Sequence, residues 1–191
     1  LSTLMITEIR DVLIIGSEKD ILSYTELFGN GSKIGMNINY EVQIEPKGIP
    51  EAFLIGEKFI GKNNVCLILG DNFFYGNGLS NKLINIKNNN KGATLVAFEV
   101  QNPNDYGVIK FNKKKIISIE EKPKKFVSNY AVTGLYFYDN NAVTYSKSLK
   151  PSKRNELEIT DLNKIYLNKK NLYLEVLERG YTWMDTGDPK N

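Results

Sequence analysis

Val65-Cys66-Leu67-Ile68-Leu69-Gly70-Asp71-Asn72-Phe73-Phe74-Tyr75 is the stretch on which the reading of the chain turns. Its first five residues are apolar without alternation, the pattern of a strand buried on both faces at the centre of a parallel sheet. The run stops at Gly70-Asp71-Asn72. Gly70 lets a backbone or a ligand come close, and Asp71 sets a carboxylate at the carboxyl end of the strand, where open α/β sheets bind ligands. A carboxylate there suits a divalent cation and the phosphates it carries. Capping of the next helix or closure of a turn would also account for Asp71 within this stretch alone.

Composition narrows the choice. At 191 residues the chain can build one well-cored domain, and two would be cramped. No segment approaches the roughly 20 apolar residues of a membrane span, and no signal-peptide pattern opens the sequence. The single cysteine, Cys66, sits inside the apolar run as a small hydrophobe, which fits a reducing cytoplasm. A net charge of +3, with lysines grouped at Lys113-Lys114-Lys115 and Lys169-Lys170, gives no basic stripe and argues against nucleic-acid binding. The chain has no histidine. That removes histidine-based nucleophile pairs, acid–base chemistry and metal ligation from this segment. Carboxylates, lysines and backbone amides remain, and these favour phosphate-transfer chemistry, in which the protein positions groups and neutralises charge.

Outward from the central run, the pattern alternates strand and helix. Leu1, Leu4, Met5 and Ile9 lie at helical spacing. Asp11–Gly16 reads as a buried strand, Ile21 to Phe28 as a helix and Ile38 to Gln43 as an alternating strand. Pro50 suits the first turn of a helix with Ala52, Ile55 and Phe59 inward. Leu79, Leu83 and Ile86 mark another helix. This rhythm predicts a parallel sheet with right-handed crossovers. From Thr94 it changes: Thr94 to Val100, Gly107 to Phe111, Lys115 to Glu121 and Tyr130 to Tyr138 are four strands in close succession, so this part is expected to be antiparallel or mixed. Helices follow at Ala142 to Leu149 and Ile159 to Leu167, then a strand at Leu172 to Leu177. Trp183-Met184-Asp185-Thr186-Gly187 forms a second Asp-Gly corner, with a further element starting near Asn191.

Several stretches carry chemistry. Gln43 offers a donor and an acceptor that can read a pyrimidine edge, although a solvated loop amide is the commoner fate of glutamine. Tyr106-Gly107 leaves backbone bare at the start of a strand. Glu121-Lys122-Pro123 sets an acceptor beside a cation at a strand end, and Asp185 is a second carboxylate. Taken in order, LGDN, YG, EEKP, VTGLY, ELEITD and W-x-D-T-G resemble the sugar-nucleotide pyrophosphorylases, specifically the bacterial glucose-1-phosphate thymidylyltransferases. NYAVTGLYFYD (129–139) and ELEITDLNKIY (156–166) are the longest matches, and the likeness runs over essentially the whole chain.

The resemblance implies a Rossmann-like α/β nucleotidyltransferase fold. Its mostly parallel central sheet would be flanked by helices, with an added antiparallel or mixed sugar-binding part. On this reading 1–191 is a single domain whose nucleotide half ends at residue 93 and whose sugar half covers 94–191. The implied reaction joins dTTP and α-D-glucose 1-phosphate into dTDP-glucose and pyrophosphate with Mg²⁺, supplying deoxysugar and rhamnose pathways. By the same likeness Asp71 and Asp185 match the Mg²⁺ ligands, and Lys122 matches the lysine that holds the sugar phosphate. Gly107, Glu121 and Val132 match glucose contacts, with Tyr106, Tyr136 and Trp183 in the same pocket. Gln43 and Gly48 match the thymine-reading pair. Tyr75, Gly76 and Arg179 fall at a second, regulatory nucleotide site of a homotetramer. The family's glycine-rich loop, with its arginine and lysine, is expected upstream of Leu1, and its helical tail after Asn191; without that loop turnover should be lost. A UTP- or CTP-using relative and a non-catalytic sugar-nucleotide-binding module are the alternatives.

Overall fold

The computed structural model describes residues 1–113 and 115–187. Its first part contains α1 (Ser2–Ile6), β1 (Asp11–Gly16), α2 (Glu18–Phe28), β2 (Asn37–Val42), α3 (Glu51–Ile55), α4 (Glu57–Ile60), β3 (Val65–Ile68), β4 (Asn72–Gly76) and α5 (Leu79–Asn89). The second contains β5 (Ala93–Glu99), β6 (Gly107–Asn112), β7 (Lys115–Glu121), β8 (Tyr130–Tyr138), α6 (Asn141–Ser148), α7 (Ile159–Asn168), β9 (Leu172–Leu177) and β10 (Tyr181–Asp185). The element expected near Asn191 lies outside the described residues.

The strand buried on both faces is β8, not β3. Every residue of β8 after Tyr130 is buried. One of its edges pairs antiparallel with β5, and the other is shared by β6, at Ala131, and β3, at Leu135–Tyr138. Around it the six-stranded sheet runs β7-β6-β8-β5-β9, with β3 joined to β8. The α/β class holds, but the mostly parallel sheet is realised only in β1–β2 and β5–β9; the other ladders are antiparallel.

The parallel part is not joined because β1 and β3 do not meet. All four residues of β3 are only half-buried. A cavity of about 950 Å³ separates the two strands, lined by Asp11 to Ile15 on one side and Val65 to Ile68 on the other. Successive side chains of a strand point to opposite faces. A cavity lined by every residue of both segments therefore faces strand edges, not a sheet face. The two strands still share an apolar layer in which Cys66 and Ile68 pack against Leu4, Val12, Met36 and Ile38.

Helix packing follows the apolar spacing with one correction. Leu79, Leu83 and Ile86 bury the inner face of α5 as expected. The helix expected from Pro50 breaks at Gly56, where a Cβ would stand 2.9 Å from the Ala52 carbonyl and 3.2 Å from the Leu13 side chain. The break rotates the buried set, so Phe53 and Ile60 face the core while Phe59 is exposed. Phe53 meets Tyr138 edge-on with ring centres 5.2 Å apart. Two strands went unforeseen, β4 and β10, whose antiparallel pairing builds a separate two-stranded sheet.

Cys66 offers a check on β3. It is partly accessible at the cavity wall, but desolvation among its apolar neighbours pushes its thiol up to about 12. At pH 8 about one molecule in 10⁴ then carries the reactive thiolate. Labelling by a disulfide reagent at pH 8 should be at least about 100-fold slower in the native chain than in denaturant. Equal rates would mean that β3 is not packed as described.

Candidate active site

Asp71 and Asp185, remote in sequence, are brought side by side by the β4–β10 ladder. Its register runs from Tyr181 opposite Gly76 to Asp185 opposite Asn72. Beyond the ladder, the Thr186 backbone N–H and hydroxyl both donate to the Asp71 carbonyl, at 2.9 and 2.8 Å. At Gly187 a Cβ would stand 2.4 Å from Asp71 Oδ2 and 3.2 Å from Asp185 Oδ1. The two carboxylates thus converge on a space that glycine leaves open. The Gly187 N–H donates to Asp185 Oδ1 at 3.0 Å. Two carboxylates with room for water and phosphate oxygens match the donor set of Mg²⁺, and no group of three or more ligating side chains occurs among the described residues.

A second centre forms where β6 and β7 begin and end. Gly107 lies opposite Glu121 in the ladder. Glu121 is held by the Thr160 hydroxyl, which donates to its Oε2 at 2.5 Å, and by the Arg154 guanidinium, 3.6 Å from Oε1. A Cβ at Gly107 would touch that same Oε2 at 3.5 Å, so the missing side chain keeps the carboxylate open from this side. Lys122 follows with φ +40°, a conformation uncommon outside glycine, and its N–H donates to the Tyr106 carbonyl at 3.0 Å. Backbone strain of this kind persists only where surroundings enforce it. Here it turns an exposed lysine out of the strand direction.

The apolar wall joins the two centres. The Tyr106 ring meets Trp183 edge-on with centres 5.2 Å apart, and the Trp183 indole N–H donates to Asn72 Oδ1, next to Asp71. Val132 and Tyr136, expected in the same pocket, are buried on β8 in a different apolar cluster, with Phe53 and Tyr138 and not with Tyr106 and Trp183. Burial first, and then the Glu121 charge, raise the Tyr136 hydroxyl well above its ordinary value, so it stays protonated.

Gln43 and Gly48 line another cavity of about 370 Å³, with Pro46, Leu69, Gly70 and Glu156. This cavity reaches the residue before Asp71. The Gln43 amide already donates to Glu51 Oε2 at 2.6 Å. Gly48 has φ +101°, and a Cβ there would fall 2.1 Å from the Leu157 carbonyl, so backbone packing alone requires glycine. Tyr75, Gly76 and Arg179 gather at the far end of the β4–β10 ladder, about 13 Å from the carboxylates at strand spacing. Tyr75 and Arg179 are exposed, and a Cβ at Gly76 would strike the Tyr181 ring at 2.4 Å.

Four site residues escaped the sequence reading: Asn72, Arg154, Glu158 and Thr160. Arg154 is one of three arginines in the chain; it lies in the turn ahead of α7, and Glu158 is the residue that precedes that helix, so no helical spacing signals their pairing. It donates to both Glu158 oxygens, at 3.2 Å from Nε and 2.7 Å from Nη2. Burial pushes the Glu158 carboxyl up, but hydrogen bonds from Arg154 and Ser152, aided by the Arg154 and Lys122 charges, outweigh it and hold it below its ordinary value. Lys122 and Arg154 thus act on the same carboxylate.

A depressed carboxyl contributes stability above its unfolded pKa, about 4.3, and loses it as pH falls through the folded value. Arg154→Ala should therefore cost about 1–2 kcal/mol at pH 7, discounted for the half-exposed guanidinium. The cost should shrink below about pH 4. Urea unfolding at pH 7 and pH 3.5 measures it, and an equal cost at both would show that Glu158 is not the partner that matters.

Residues 1–191 match the model of the nucleotidyl transferase family. A glucose-1-phosphate thymidylyltransferase from Neisseria meningitidis is 50% identical over 188 residues, covering 98% of this chain and 65% of that protein. The Mycolicibacterium smegmatis protein of the same name is 49% identical with the same coverage, so the chain spans about 65% of the length of these relatives. A crystal structure described as a glucose-1-phosphate thymidylyltransferase from Bacillus anthracis, in complex with a sucrose, superposes with a TM-score of 0.89 at 36% identity. It covers 98% of this chain and 75% of that one. A UDP-glucose pyrophosphorylase complexed with UDP-glucose shares the fold, with a TM-score of 0.81 at 21% identity, over 99% of this chain and 80% of that one. Agreement with the family model over residues 1–191 shows that the chain belongs to the nucleotidyl transferase family.

Proposed function

We propose that the protein transfers a thymidylyl group from dTTP to α-D-glucose 1-phosphate, giving dTDP-glucose and pyrophosphate. The observation that carries this reading is the convergence of Asp71 and Asp185 on the space beside Gly187, linked through Trp183 to a pocket edged by Glu121 and Lys122. Relatives half identical to the chain and named glucose-1-phosphate thymidylyltransferase support the choice of substrates.

In the reaction an oxygen of the sugar phosphate attacks the α-phosphorus of dTTP in line. The new P–O bond replaces the one to pyrophosphate, which leaves with its electron pair. Mg²⁺, held by Asp71 and Asp185, would offset the charge that builds on the phosphates. Lys122 holds the sugar phosphate, with Arg154 as a second cation alongside; a charge-assisted bond of this kind is worth about 1.5–3 kcal/mol. Glu121 accepts from glucose hydroxyls, with the backbone at Gly107 and Val132 completing the contacts. Tyr106, Tyr136 and Trp183 exclude water. Gln43 and Gly48 contact the base. The reading extends to a cytoplasmic homotetramer with a second nucleotide site at Tyr75, Gly76 and Arg179. No helix among the described residues is long and apolar enough to cross a membrane.

The test uses protein from the complete reading frame, with Mg²⁺, glucose 1-phosphate and dTTP, UTP or CTP in parallel. Pyrophosphate release is expected with dTTP, reduced at least about 10³-fold in Asp71→Ala and in Asp185→Ala. Release with UTP or CTP instead would reassign the base. No release from folded protein that binds dTDP-glucose would identify a binding module.

A further inference from the structure

Asn72 is 9% exposed, and its side-chain amide bonds Gly134, Trp183 and Asp71. Its Oδ1 accepts from the Gly134 N–H at 2.9 Å and from the Trp183 indole N–H at 2.6 Å. Both partners are donors only, so the atom between them is the amide oxygen and the side chain cannot be flipped. The nitrogen must then face Asp71, where Nδ2 donates to Oδ1 at 2.9 Å. Gly134 makes room for this: a Cβ there would lie 2.6 Å from Asn72 Oδ1. The Gly134 carbonyl in turn accepts from the Leu69 N–H at 2.9 Å, anchoring the turn that carries Asp71.

We propose that Asn72 is a positioning residue for Asp71, orienting its carboxylate through a hydrogen bond whose direction Trp183 and Gly134 impose. The inference rests on the reading of Asp71 as a metal ligand. With Oδ1 engaged by Asn72, the other oxygen, Oδ2, is the one directed at the space shared with Asp185. Partners one step removed from a metal typically change affinity or activity 10–100-fold when lost, because they fix the ligand's orientation. The same amide binds Trp183, whose ring packs on Tyr106, so it ties the carboxylate to the aromatic wall of the sugar pocket.

Asn72→Asp separates this role from simple core filling. The new carboxylate keeps an acceptor toward Gly134 and Trp183 but replaces the donor to Asp71 with an acceptor. In the complete protein, assayed at a temperature where it is folded, kcat should fall about 10–100-fold, with KM for glucose 1-phosphate changed less than about threefold. A wild-type kcat, or a fall matched by loss of folded protein, overturns the proposal. Mn²⁺ alone, followed through the magnetic-resonance signal of the free ion, gives a readout independent of turnover. Asn72→Ala should weaken its binding about tenfold, and Asp71→Ala should abolish it. Unchanged Mn²⁺ binding in Asp71→Ala removes the metal reading itself. Loss in Asp71→Ala with none in folded Asn72→Ala removes only the positioning role.

Discussion

Two like charges held against one space are a constraint that the fold must meet with compensating structure. A pair of carboxylates a few ångströms apart repels by about 1–4 kcal/mol at the polarity of a protein surface. The chain answers with a five-residue antiparallel ladder, two bonds from Thr186 onto the Asp71 carbonyl and the donations of Asn72 and Gly187 onto the carboxylates. Each bond is modest, about 1 kcal/mol net, and together they offset the repulsion. Gly187 follows from the same constraint, since any side chain there would occupy the space the carboxylates share. An arrangement that concentrates negative charge and leaves room at its focus suits the cation that the proposed function calls for.

The Glu121 end pairs cations with carboxylates instead. Lys122 and Arg154 would repel one another if left alone, and Glu158 and Glu121 balance them. Arg154 is shared between two carboxylates, which restrains its long side chain without cancelling its charge. Its planar fork suits this role, because several donors can engage different acceptors at once. The Lys122 backbone, strained at φ +40° and tied to the Tyr106 carbonyl, fixes where the second cation leaves the sheet.

Local pattern was enough for most elements. β1, β7, β8 and β9 begin and end where hydrophobic runs and turn residues place them, because each has a clear apolar face or an uninterrupted core sequence. What could not be read was pairing. Val65–Leu69 has the composition of a central strand, yet β8 occupies the centre, since only that strand is long enough to serve β5 on one edge and both β3 and β6 on the other. Nor did Asn72–Gly76 announce a strand: its partner lies more than a hundred residues away, and only the contact supplies its ladder. The acidic pair was legible as two Asp-Gly corners. Asn72 and Thr186 were not, because an amide or a hydroxyl gains meaning only from what surrounds it.

The joining of the two ends through one side chain bears on how such a site discriminates. Interactions accelerate a reaction only when they are stronger in the transition state than before it. A carboxylate free to rotate could meet a cation equally well at every stage. Asn72, with its orientation fixed by Trp183 and Gly134, allows Asp71 one favoured direction. Because Trp183 also walls the sugar pocket, displacement of its ring by an ill-fitting sugar would disturb the amide and, through it, the carboxylate. A misplacement of about 1 Å can cost 10²-fold in rate. On the proposed function, selectivity for the sugar can therefore reach the carboxylate that would hold the metal.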